Sequence, residues 1–452
     1  WGYADVLPYF RRMETSWRGA NAYHGDCGPL SVVPIISDKL LHAPLMQAAV
    51  AAGYNTTDDL NGDLEEGFAR GEITVDRRGR RASTSRAYLH PVMHRPNLNV
   101  TLEALATRVL VERGRAVGIE YRKQGVLRRA YASREVILAG GTYSTPQLLL
   151  LSGIGPADEL RQHGIEPLCD LPGVGRNLSE HARVPVEFEA SAAVTYLNEL
   201  RADRVARAVL QWSVFGTGNF ATQINSCNIV IRTHPDLPQP DIQLMSNPVR
   251  MDAKVWFPGI TARQAHRITA DVVLLHPRSR GAVTLRSADA ADPPRILFNL
   301  FSDPAEFETA WRGVAAARAI YRTPPQASIT GRETAPGAAV NSRADLNAYI
   351  RASATLTAHP VGTCAMGIGP DAVVDPQLRL RGVDGLRVAD ASIMPTVPGG
   401  NTNAAAIMVG EKAAARAMCR RPAAPSAGRA SPVECCRRAA PTLRRCAPTA
   451  SS

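Results

Sequence analysis

The sequence predicts a mixed fold, α/β in its local units and α+β overall, and three observations carry that reading. An apolar run, Val136–Leu138, leads into Gly140-Gly141 and then a helical stretch, the strand, small-residue turn and helix order of an α/β unit. From Asn97 onward, short Val- and Ile-rich runs alternate with Gly and charged turns, the pattern of β-strands. Residues 182–350 combine runs such as "CNIVIRTH", "PDIQLMS", "ADVVLLH" and "GAVTLRS" with two helical stretches, near residues 203–215 and 305–321. That mixture suits an antiparallel sheet covered by helices.

Composition narrows the function classes. A chain of 452 residues can hold two or three domains, and a 45% apolar, 21% charged balance is that of a soluble globular protein. No apolar run approaches the length of a membrane span. A net charge of +11 raises nucleic acid or an anionic membrane as partner, but residues 419–452 hold seven Arg against one Glu and so supply +6 of it. The excess therefore sits in a basic tail rich in Ala, Pro and Ser, expected to be disordered, and no nucleic-acid partner is expected. Half of the eight cysteines lie in that tail. The others, Cys27, Cys169, Cys227 and Cys364, show no metal-ligand spacing, so no metal site and a reducing, cytoplasmic location are expected.

Taken in order, the chain opens with a helix in "YADVLPYFRRMETS" and a second in residues 38–52, followed by turn-dense loops and an Arg-rich segment that reads as a solvated loop. The strands expected next are "NLNVTL", "ATRVLVE", "AVGIEYRK" and part of "YASREVILAGG". A helix is then expected to begin at Ser144-Thr145-Pro146, with Thr145 as its cap. A strand and turn feeding a helix let backbone approach a nucleotide, although close strand-to-helix packing is the plainer reading of those glycines. "GTGNFA", residues 216–221, satisfies G-x-G-x-x-A but follows a helical run and lacks a strand–acid partner, so it is rejected as a nucleotide site.

The chemically suggestive stretch is residues 359–401. It presents His359 on a Gly-rich loop, a short strand over residues 386–389 ending at Asp390, a Pro/Gly loop, and Asn401-Thr402-Asn403 opening a helix. The free amides of that helix end can hold a phosphate or a ring that becomes anionic. Alone, an ordinary capped helix and an ordinary core histidine remain the simpler readings. Neither G-x-S-x-G nor H-E-x-x-H occurs, which argues against a serine hydrolase or a zinc hydrolase.

Residues 359–401, "HPVGTCAMGIG" through "PTVPGGN", and residues 141–155, "GTYSTPQLLLLSGIG", resemble two signatures of the glucose-methanol-choline (GMC) family of FAD-dependent oxidoreductases, with choline-dehydrogenase-like and bacterial alcohol-dehydrogenase-like members the nearest in wording. Weaker agreement in "WGYADVLPYF", "RRASTSRAYL", "PGVGRNLSEH" and "HPRSRGAVTLRSAD" extends it over nearly all of residues 1–418. The resemblance implies an FAD-binding, Rossmann-like domain lacking the family's N-terminal G-x-G-x-x-G segment, and a substrate domain. Its expected layout is 1–96 bordering the active site, 97–181 and 351–418 in the FAD domain, 182–350 for substrate, and 419–452 as tail. It implies oxidation of the CH–OH group of a choline-like, aliphatic or aromatic alcohol, with oxygen, a quinone or another electron acceptor. His359 is implied as general base and Asn401 as its partner at the substrate oxygen. FAD would lie near the Ala106 backbone, Gly140, Gly141, Thr142, Asp390, Ala391, Thr402 and Asn403. His24, in a "YHG" pattern, is expected to be structural at least as readily as substrate-contacting. Without the G-x-G-x-x-G segment these residues are expected to hold FAD poorly, and the alternative function is an inactive GMC-like fragment or binding module.

Overall fold

Helix Tyr3–Met13 packs on helix Thr402–Met418, so the beginning and end of the described chain meet. Lys412 Nζ donates to the Asp5 carbonyl at 2.8 Å, and Arg12 Nε donates to Glu411 at 2.8 Å. The structure is a computed structural model that describes residues 1–35, 40–63, 66–225 and 227–418. The basic tail expected at 419–452 lies outside the described residues.

The largest sheet follows from strict alternation in its strands. Ala182–Ala190 buries every second residue from Ala182 to Phe188. It pairs antiparallel with Arg267–Leu274, which is followed by Ile242–Asn247, Cys227–Ile231 and Gly67–Arg70. On its other side it pairs with Thr330–Ala335 and Thr355–Leu356, giving seven strands. The register sets Val184 opposite Val272, Val272 opposite Leu244, Leu244 opposite Ile229 and Ile229 opposite Phe68, one apolar row across the sheet.

Helix Ala305–Tyr321 covers that row, burying Phe307, Ala310, Val314, Ala317 and Ile320. A Cβ on Gly313 would stand 2.4 Å from Val272 Cγ1, so a glycine there is what lets the helix lie so close to the sheet. Tyr321 stacks on Phe188 at 4.9 Å between ring centroids. By the pleat, His181, Arg183 and Pro185 point to the opposite face.

A second core surrounds helix Gly141–Leu151, whose Leu149 and Leu150 are fully buried. Strands Val136–Leu138 and Leu386–Val388 run parallel beside it, and the three-stranded meander of Leu105–Glu112, Arg115–Lys123 and Val126–Tyr131 packs on it from another side.

Four local expectations need correction. Residues 97–102 form no strand, since Val100 and Leu102 are exposed and no neighbouring strand pairs with them. The helix expected at Ser144 starts at Gly141, so Thr145 lies inside it and does not cap it. "GAVTLRS" supplies only Ala282–Thr284, paired with Arg295–Leu297 in a ribbon outside the large sheet. A third helix, Arg343–Ser353, accompanies the sheet, with the Ser342 hydroxyl accepting from the Asp345 amide. The rejected glycine motif is a helix end, with Gly216 at φ +68 closing Ala202–Phe215.

Candidate active site

The two parallel strands deliver their ends to one place. Val388 is opposite Leu138, and the Ala389 amide donates to the Leu138 carbonyl at 2.8 Å. Beyond one strand lie Gly140 and Gly141, and beyond the other lies Asp390. The Asp390 carboxylate accepts from the Gly141 amide at 2.9 Å, the Thr145 hydroxyl at 2.6 Å and the Ser392 amide at 2.8 Å. It fastens the start of helix Gly141–Leu151 to the turn Ala391–Ile393. Thr142 extends the connection, its hydroxyl donating to the Pro360 carbonyl at 2.8 Å while its own carbonyl accepts from Thr363 at 2.6 Å. The loop that carries His359 is thereby anchored to the strand ends.

His359 is half-buried and meets Asn401 as the spacing of the motif allows, with His359 Nε2 and Asn401 Nδ2 at 3.1 Å. Asn401 is exposed, so this face of the imidazole opens to solvent. Thr402 is buried at the start of the last helix, and Asn403 beside it is exposed. Ala106 stands apart on the meander, opposite Tyr121.

Two residues that sequence reasoning passed over complete the surroundings of His359. The buried Glu180 accepts the His359 amide at 2.8 and 2.9 Å and the Thr357 hydroxyl at 3.1 Å. His181, fully buried, has its Nδ1 3.0 Å from His359 Nδ1 and its Nε2 3.1 Å from the Leu275 carbonyl. The sheet register explains the placement, because extending the pairs Arg183–Val273 and Arg183–Thr355 by two residues sets His181 between Leu275 and Thr357. The signal for it was the histidine just ahead of an alternating strand.

Burial governs the electrostatics here. It lowers the pKa of His359, with no carboxylate on either ring nitrogen to oppose it. Burial, then the proximity of His359, pushes His181 down to about 4. Burial raises Glu180, against the amide and hydroxyl donors that stabilise its charge. Near pH 7 both imidazoles are neutral. Among the described residues no cluster of three or more His, Cys, Asp or Glu could hold a metal.

Family descriptions of GMC oxidoreductases match residues 1–183 and 277–410. The chain belongs to the GMC oxidoreductase family. It is 42% identical to mitochondrial choline dehydrogenase of Mus musculus over 416 residues, covering 92% of this chain and 69% of that protein. It is 41% identical to the oxygen-dependent choline dehydrogenase of Burkholderia pseudomallei over 419 residues, 92% of this chain and 73% of the relative. Among solved structures, pyridoxine 4-oxidase from Mesorbium loti superposes with a TM-score of 0.80 at 26% identity, covering 93% of this chain and 78% of that one.

GMC enzymes use FAD, and the residues at the strand ends fit such a group. Parallel strand ends, the start of an 11-residue helix at Gly141, whose own amide Asp390 already takes, and the start of a 17-residue helix at Thr402 present backbone amides of the kind that hold anions. Gly141 has φ +80 and no atom within 4 Å of where a Cβ would stand, so its backbone can be approached closely. The Asp390 side chain is already spent on internal donors. What it and Ala391 can present to FAD is therefore backbone.

Proposed function

We propose that this GMC oxidoreductase oxidises the CH–OH group of a small alcohol at the His359–Asn401 pair, with FAD held along Gly140, Gly141, Thr142, Asp390, Ala391, Thr402 and Asn403, and with the Ala106 backbone toward the adenine. The observation that carries this reading is the 3.1 Å contact between Asn401 and the solvent-facing nitrogen of a half-buried, neutral imidazole. Bound FAD supplies the acceptor for the hydride that leaves the carbinol carbon.

The remaining work falls to this chain's own groups. His359 Nε2 takes the hydroxyl proton, a step suited to an imidazole whose pKa lies below working pH. Asn401 Nδ2 donates to the substrate oxygen and fixes its distance from the base. Glu180, through the His359 amide, holds the backbone of the base in place. The choline dehydrogenases among the relatives favour choline-like primary alcohols as the first substrates to test, with other aliphatic and aromatic alcohols next. Neither Cys169 nor Cys364 is in a disulfide, which favours a reducing, cytoplasmic setting, and no helix among the described residues is long and apolar enough to cross a membrane.

The test is reconstitution of the chain with FAD, its retention read from the visible absorbance after free cofactor is removed, and then anaerobic mixing with choline, a short aliphatic alcohol and an aromatic alcohol. Loss of the oxidised-flavin absorbance with at least one of them is expected. Oxidised flavin persisting with every alcohol in a broad panel would remove the reading.

A further inference from the structure

His359 can act as a base only if its ring proton sits on Nδ1, because the lone pair must lie on Nε2, where Asn401 and the substrate meet it. A free imidazole has no obligation to choose that tautomer. The choice has to come from the groups around Nδ1.

Two neighbours face that nitrogen: His181 Nδ1, whose role its own partner decides, and the Thr357 hydroxyl, which can accept there. His181 Nε2 lies 3.1 Å from the Leu275 carbonyl, an oxygen that can only accept, so the single proton of neutral His181 belongs on Nε2. His181 Nδ1 is then a lone pair, directed at His359 Nδ1 from 3.0 Å. Two bare nitrogens at that separation would repel, so His359 must supply the proton. Thr357 is compatible with the same arrangement. Its one hydroxyl proton has the Glu180 carboxylate at 3.1 Å and the His181 carbonyl at 3.3 Å to go to, leaving a lone pair 3.0 Å from His359 Nδ1.

The reverse arrangement fails at two contacts. A proton on His181 Nδ1 would set its Nε2 lone pair against the Leu275 carbonyl, and it would place the His359 proton on Nε2, against Asn401 Nδ2.

We propose that His181 is a positioning residue that sets the tautomer of His359, passing the polarity of the Leu275 carbonyl across two rings so that the basic lone pair faces the substrate. The inference rests on the reading of His359 as base given above, but the tautomer itself can be observed without that reading. The large sheet is thus more than a covering over the substrate. Its hydrogen-bond register places Leu275, His181 and Thr357 side by side, and that row determines which nitrogen of the base is free.

The experiment is long-range nitrogen–proton correlation NMR on the chain labelled with 15N-histidine, near pH 7, with the His359 signals assigned by comparison with His359→Gln. The unaltered chain is expected to show His359 protonated at Nδ1 and bare at Nε2. In His181→Ala the ratio should move about tenfold toward the Nε2–H form, as expected when one hydrogen bond is lost. His181→Asn, whose side-chain oxygen can accept near the position of Nδ1, should recover most of that shift. In the flavin-loaded variants the rate of alcohol-driven flavin reduction should follow the same order, and KM should change less than kcat.

A His359 proton found on Nε2 in the unaltered chain would overturn the proposal, whether or not the variants fold. So would an unchanged ratio in His181→Ala, which would assign the tautomer to Thr357 alone. If instead His359→Ala reduces flavin at the unaltered rate while the tautomer behaves as described, it is the identity of the base that falls.

Discussion

Two buried histidine centres in this chain have opposite surroundings. His24, 4% exposed, has Glu14 Oε1 at 2.8 Å from Nδ1 and Asp59 Oδ2 at 2.8 Å from Nε2. Burial disfavours its charge, but the hydrogen bonds to Asp59 and Glu14 and their negative charges outweigh it, so its pKa is raised. Acceptors on both nitrogens call for two N–H groups, so the geometry favours the imidazolium, which ties Glu14 to the loop around residue 59. His359 has a histidine, a threonine and an amide at its nitrogens, and its pKa is lowered. The nearest carboxylate, Glu180, is directed to the His359 backbone amide and away from the ring. Where carboxylates accept at both ring nitrogens, the histidine is held toward its charged form; where a carboxylate reaches only the backbone, the histidine stays neutral and can accept a proton.

The sharpest break in that contrast is His359→Ala in the flavin-loaded protein. Removing a general base costs about 10²- to 10⁴-fold in the chemical step, so the rate of alcohol-driven flavin reduction should fall by that much with the far-UV circular dichroism unchanged. A loss below tenfold would show that proton removal happens elsewhere.

Asn401→Asp would make the second centre resemble the first. A carboxylate beside Nε2 should raise the His359 pKa by about 1–3 units, so the rate at pH 7 falls about tenfold or more and recovers as pH rises. The pH profile of flavin reduction measures this. Asn401→Ala should lose rate without moving the profile.

His24→Gln tests the other side. Losing a charged hydrogen-bond donor to Glu14 and Asp59 should cost about 2 kcal/mol in urea unfolding while alcohol-driven flavin reduction persists.

The smallest effects lie in pH dependence, and their signs differ. A raised folded-state pKa at His24 contributes stability that is complete below about pH 6.5 and is lost as pH rises through the folded value. Lowered values at His359 and His181 act the other way, with stability lost on acidification below about pH 6.5. Urea midpoints from pH 5 to 9 should therefore lose their alkaline decline in His24→Gln and keep their acid limb.

The sequence made most elements legible because their causes are local. Alternation identified strands such as Cys227–Ile231, and spacing placed helix Ala305–Tyr321 at its observed bounds. What it hid depends on distant partners. Thr145 looked like a cap because nothing near it in the chain announces Asp390, 245 residues away, as its hydrogen-bond partner. Residues 97–102 have strand composition but no strand beside them. Helix Arg343–Ser353 carried its own local signals, Ser342 as cap with Leu346 and Ile350 four apart, and was readable in principle. At the site, the His359–Asn401 pair came from a motif, whereas His181 and Glu180 owe their places to sheet register, which only the fold discloses.

The parallel pairing of Val136–Leu138 with Leu386–Val388, locked by Asp390, also has a meaning in time. Val136–Leu138 must await a segment about 250 residues further on, whereas the large sheet takes five of its seven strands, and helix Ala305–Tyr321, from residues 182–335. On a ribosome adding about 5–20 residues per second, those five strands are complete about 3–10 seconds before Leu386 is made. The candidate site at the strand ends is thus assembled after the sheet, and a chain cut short before Leu386 would have a folded sheet without the Asp390 lock.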